Sequence, residues 1–86
     1  MPSKLDPRVL RLSAKIGEKL RAARVASGRT QTEIAAELKM DRPSLSRIEA
    51  GRTNVTIESL IRIAGAFGLT VSIDFREAPK RQRRSG

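Results

Sequence analysis

Residues 31–51 read QTEIAAELKMDRPSLSRIEAG, and their apolar positions divide them into two short helices joined by a tight turn. In the first half Ile34, Ala35 and Leu38 fall at i, i+1 and i+4, a stripe about a third of a helix circumference wide. In the second half Leu45 and Ile48 fall at i and i+3, and Met40 supplies an apolar plug at the turn. Arg42, Pro43, Ser46 and Arg47 project from the opposite face of the second helix. One face is committed to holding the pair together, and the other is free to read a surface.

Working outward, Thr30 and Glu33 form a T-x-x-E capping box that opens the first of these helices, and Gly28 closes whatever precedes it. Upstream, Asp6-Pro7 is a helix start, a carboxylate cap followed by proline at the first helical position. Val9, Leu12, Ile16, Leu20 and Ala23 then keep helical spacing toward Ser27. Ser13 offers a second cap and Gly17 weakens a helix by about 1 kcal/mol relative to alanine, so one long helix and two shorter ones both fit. Downstream, Asp41 caps the second short helix with Pro43 in its first turn, and Gly51 ends it. Thr56 caps a fourth helix carrying Ile57, Leu60, Ile61, Ile63, Ala64 and Phe67, with Gly68 as its stop. The period then changes to two: in LTVSIDF, Leu69, Val71, Ile73 and Phe75 alternate with Thr70, Ser72 and Asp74, which predicts one strand.

A lone strand has unpaired donors and acceptors, and no second strand is legible in the chain. A second copy of the same strand, paired across a two-fold axis, is the simplest partner; a fifth helix or an apolar tail packed on its own domain is the alternative. Residues 76–86 carry five Lys or Arg and one Glu, with proline and almost nothing apolar, and read as a disordered basic tail.

The 86 residues suffice for one small domain without an enclosed pocket. With 18 Lys and Arg against 9 Asp and Glu the net charge is +9, which favours a polyanionic partner. No apolar run approaches the roughly 20 residues of a membrane span and no secretory signal is visible, so the expected location is the cytoplasm, at the nucleoid. The absence of cysteine and histidine removes disulfides, thiolate or imidazole metal sites and nucleophile-histidine pairs. No metal, cofactor or enzymatic activity is expected. The only aromatics, Phe67 and Phe75, sit in apolar patterns rather than as base-stacking platforms, which turns the charge toward duplex backbone instead of single strands. Two short helices joined by a turn in such a chain are the arrangement of a helix-turn-helix, whose second helix lies in the DNA major groove.

From Ile16 to Leu69 the sequence resembles the phage Cro/repressor (Xre-type) helix-turn-helix family. The residues that carry the resemblance are Leu20-Arg21, Thr30-Gln31, Ile34-Ala35, Ser44 to Gly51, and the Asn54, Thr56, Leu60 and Phe67 series. It implies an all-α fold, a four- to five-helix lambda-repressor-like DNA-binding domain with the C-terminal β-strand pairing across a homodimer. Residues 1–12 would be an N-terminal arm or helical extension, 13–68 the helix-turn-helix domain, 69–75 the dimerising strand and 76–86 the tail. Arg42, Pro43, Ser46 and Arg47 then occupy base-reading positions: arginine presents two donors to guanine O6 and N7, and proline apolar contact to a thymine methyl. Arg42 serves equally as a phosphate clamp. Gln31, Ser44, Arg52, Thr53 and Asn54 become phosphate contacts that fix register without reading sequence, and Gln31 also braces the reading helix. Arg24 and Glu49 match an ion pair between the first and third helices. Leu69, Val71, Ile73 and Phe75 form the dimer strand.

Two departures from the family pattern matter. Lys39 stands where glycine is usual in the turn, and Ala50 replaces a residue that is often a polar backbone contact. The terminal strand looks like that of the HipB-like antitoxins, whose dimer binds operator DNA and a protein toxin together. The resemblance therefore implies a double-stranded DNA-binding autorepressor on a pseudo-palindromic operator, with a cognate toxin as a further partner. A stand-alone prophage or restriction-modification regulator, and a protein-binding module that chiefly neutralises a toxin, are the other readings.

Overall fold

A computed structural model describes residues 6–79 as four helices: α1 Pro7–Ser27, α2 Gln31–Leu38, α3 Arg42–Glu49 and α4 Ile57–Ala66. Residues 1–5 of the expected arm and 80–86 of the expected tail lie outside the described residues. The fold is all-α, and α1 is one continuous helix. Asp6 accepts from the Arg8 N–H at 2.7 Å at its start, and neither Ser13 nor Gly17 interrupts it.

Side-chain caps open the other three helices. The Thr30 hydroxyl accepts from the Glu33 N–H at 3.1 Å while Glu33 accepts from the Thr30 N–H at 2.9 Å, a reciprocal box that satisfies two orphan donors. Asp41 and Thr56 each accept from the N–H three residues on. The exits of α2, α3 and α4 repeat one closure, in which a left-handed residue lets two successive N–H groups turn back onto the last helical turn. At α2 the left-handed residue is Lys39 (φ 57°), with the Met40 N–H reaching the Ala35 carbonyl at 2.9 Å. Gly51 (φ 71°) and Gly68 (φ 73°) do the same after α3 and α4. Lys39 therefore adopts the positive φ that its place in the turn demands, at a cost of roughly 1 to 2 kcal/mol.

Leu20, Ile34, Ala35, Leu45, Ile48, Ile63 and Ala64 form the buried core, and Met40, Phe67 and Val71 are among the side chains packed at its margin. The helix α3 packs against both α1 and α2, and α4 against α2. Its contact with α1 is unusually close. An added Cβ on Gly17 would lie 2.4 Å from the Ile48 carbonyl oxygen and 2.6 Å from that of Glu49, so only glycine permits this crossing. One on Gly51 would meet the Ala14 backbone at 2.7 Å.

No strand occurs among the described residues, and 69–75 run without regular structure. The physical reason is the one visible in the sequence: a strand exists through hydrogen bonds to another strand, and a single chain supplies none. Val71 packs at the core margin, whereas Leu69 and Ile73 are exposed and Phe75 is 93% exposed. Phe75 thus does not cover its own domain.

Candidate nucleic-acid interface

The helix α3 is fixed before it is aimed. Leu45 and Ile48 bury one side of α3, and the side chains of Arg42, Pro43 and Arg47 are exposed on the other, with Ser46 half-buried between them. At its C-terminal end Glu49 is buried and forked by arginine. Arg24 Nε donates to Oε2 at 2.7 Å and Nη2 to Oε1 at 3.1 Å, the side chains being only 13% and 3% exposed. Gln31 Nε2 donates to the same Oε1 at 2.9 Å, and Arg24 Nη1 donates to the Arg29 carbonyl at 2.9 Å. The hydrogen bonds that Arg24 donates to Glu49 raise the Arg24 pKa above its ordinary value, so the guanidinium stays charged. One carboxylate on α3 thereby ties α1 and α2 together. The Gln31 bond uses one of the two amide N–H donors of that side chain.

At the N-terminal end a second chain of contacts orients Arg47. Asp41 Oδ2 accepts from the Ser44 N–H at 3.0 Å, and Ser44 Oγ donates to Oδ1 at 2.8 Å while accepting from Arg47 Nη2 at 3.3 Å. Ser44, assigned to phosphate contact from the sequence, is engaged here as the link between the cap and Arg47. The role of Asp41 in placing Arg47 was missed, although the spacing of Asp41, Ser44 and Arg47 at i, i+3 and i+6 carries the signal.

Hydrogen bonds from Ser44 hold the Asp41 carboxyl below its usual pKa of 3.8. A carboxyl whose folded pKa is lowered contributes stability above its unfolded value and loses it as pH falls through the folded one. The melting temperature of Asp41→Asn is therefore expected to fall less than that of the parent chain as pH drops below about 3.8. Asparagine retains a capping oxygen but does not titrate. Parallel acid profiles of both proteins would show Asp41 to be thermodynamically silent.

Ser44, Arg47, Thr53 and Asn54 line one open cleft of about 270 Å³ between α3, the following loop and the start of α4. Thr56 and Ser59 share its wall, and neither was among the expected contacts, although the Thr56 cap places the first turn of α4 there. Arg52 stands outside the cleft, exposed, its N–H bonded to the Arg47 carbonyl at 2.9 Å. Gln31 also stands outside it, at the Arg24–Glu49 pair. Leu69, Val71 and Ile73 lie apart from that cleft, along a groove of about 440 Å³ walled by Leu12, Ile16, Leu60 and Ala64.

Among the described residues no helix is long and apolar enough to cross a membrane. The HTH_3 helix-turn-helix family profile matches residues 20–73. An HTH-type transcriptional regulator, DdrOP3 of Deinococcus deserti, is 39% identical over 57 residues, 66% of this chain and 44% of that protein. The transcriptional regulator ClgR of Mycobacterium tuberculosis is 35% identical over 69 residues, 80% of this chain and 62% of that protein. This chain thus spans less than two thirds of either relative. The crystal structure of a hypothetical transcription factor, NHTF from Neisseria, superposes with a TM-score of 0.65 at 28% identity, covering 81% of this chain and 79% of that one. With the profile match spanning α2, the turn and α3, the chain belongs to the Xre-type HTH_3 helix-turn-helix family.

Proposed function

We propose that the chain is a sequence-specific, double-stranded DNA-binding transcriptional repressor that controls its own operator as a homodimer. The observation that carries this reading is the division of α3, with Arg42, Pro43 and Arg47 presented to solvent on a helix whose other side is buried and pinned at both ends. The net charge of +9 supports a polyanion as the surface being read. Arg42 and Arg47 read base edges with Pro43 and Ser46 beside them. Gln31, Arg52, Thr53 and Asn54 hold the phosphates, while Ser44, whose N–H and hydroxyl both donate to Asp41, positions Arg47. Four reading side chains are too few to select an operator alone, so two copies act on half-sites about one helical turn, near 34 Å, apart.

A gel-shift panel at fixed salt tests this, comparing the chain's own upstream region with unrelated DNA. Arg47→Ala is expected to lower affinity for the preferred site by about 10- to 100-fold and to leave binding to unrelated DNA almost unchanged. Arg52→Ala is expected to weaken both alike and to flatten the salt dependence. Equal affinity of the parent chain for all duplexes would overturn the proposal in favour of a general basic protein.

The second reading within this one is an antitoxin. It is favoured by Leu69, Ile73 and Phe75, which the domain leaves exposed in an alternating sequence. In a homodimer the two 69–75 segments would supply each other's ladder partners, and the same dimer would carry a cognate toxin. A module devoted to toxin neutralisation alone would keep its whole function in Arg42→Ala and Arg47→Ala. A monomer in sedimentation at micromolar concentration would end the strand-pairing reading.

A further inference from the structure

The helix α4 leaves one of its faces uncovered. Ile57 is 63% exposed and Ile61 54% exposed, one turn apart, and Gly65 continues the row with no atom within 4 Å of the place its Cβ would occupy. Beside this row, one residue further on in each turn, stand Glu58 and Arg62, both exposed. Among the described residues they make no ion pair with each other, although a glutamate four residues before an arginine is well placed to do so. Arg62 uses one Nη2 proton on the Leu38 carbonyl and has further donors to give.

We infer that this face is covered by α4 of a second copy, packed antiparallel across a two-fold axis near Ile61. The row is self-complementary only in that arrangement. About such an axis Ile61 meets Ile61 of the second copy, and Ile57 sits over the bare Gly65 of the second copy. Glu58 comes within two residues' rise, about 3 Å along the axis, of facing Arg62 of the second copy, a gap that these long side chains span, and the reverse pair forms by symmetry. A parallel copy would put its glutamate and arginine on the opposite flank of the seam, where neither meets an opposite charge. Gly65 also acquires a purpose, since a glycine inside an exposed helix costs stability that only a close neighbour repays. The row borders the groove wall at Leu60 and Ala64, so the same two-fold brings the 69–75 segments to the edge of the same interface.

This inference rests on the homodimer proposed above, and the test separates the two. Sedimentation equilibrium is run on the parent chain, on Glu58→Arg, on Arg62→Glu and on an equimolar mixture of the two variants. Each variant alone sets like charges across the axis, and its dimer dissociation constant is expected to rise about tenfold. In the mixture an all-arginine edge faces an all-glutamate edge, and heterodimers are expected to return within about threefold of the parent. Ile61→Lys, an exposed position that folding does not need, is expected to give monomers with an unchanged helical circular dichroism spectrum. Variants that dimerise as tightly as the parent, with no gain on mixing, would overturn the α4 pairing while leaving a dimer standing. A monomeric parent chain would overturn both readings.

Discussion

Glu49→Ala is expected to lower the unfolding free energy by about 3 to 5 kcal/mol, a large part of what a domain of this size possesses. The Arg24 side chain is 13% exposed and would lose both of its bonds to the carboxylate, leaving an unpaired guanidinium in a nearly dry site. Gln31 would lose its partner in the same step. Urea titrations of Glu49→Ala and of a double variant, Arg24→Met with Glu49→Leu, measure this. The double variant removes both charges and is expected to recover most of the loss, because the large term is the stranded charge rather than the worth of the pair. A single-variant loss below about 1 kcal/mol would show that water reaches the pair and that it does not fix α3.

The second large effect belongs to Gly17. Helix propensity alone predicts that Gly17→Ala stabilises α1 by about 1 kcal/mol. The packing predicts the opposite sign. The new methyl would overlap the carbonyl oxygens of Ile48 and Glu49, and these are backbone atoms of α3 that cannot swing aside like the end of a side chain. Separating the helices would pull Leu20 and Ile48 apart and stretch the Arg24–Glu49 bonds, so a net loss of about 2 kcal/mol is expected. Thermal melts decide it by sign: a higher melting temperature for Gly17→Ala would mean that α1 and α3 are not in close contact. Because α3 must shift to admit the methyl, operator affinity should fall along with stability.

Most helix limits could be read in the sequence because they are set locally, by Thr30 with Glu33, Asp41, Thr56, Gly28, Gly51 and Gly68 acting within a turn of themselves. The special place of Lys39 came instead from the family resemblance, which puts glycine at that point of the turn, and its positive φ follows from that place. The Arg24–Glu49 contact spans 25 positions and came from family resemblance, since no local rule pairs those residues. The Gly17 crossing was not legible at all: in isolation a glycine in a helix is only a weak point, and its value arises from a neighbour more than thirty residues away. Residues 69–75 show the converse limit. Their alternation states what they would do beside a strand, and the chain on its own has no strand to place there.

The contacts of Gly17 with Ile48 and Glu49, and of Gly51 with Ala14, have a consequence for folding order. Each joins the middle of the first helix to the end of the third, so a large loop must close before the third helix acquires a fixed position. Neither contact uses a flexible side chain that could form early and adjust later. The third helix is consequently expected to be seated late in folding, after that loop has closed. On the proposed function, competence to bind an operator and completion of folding are then expected to be a single equilibrium.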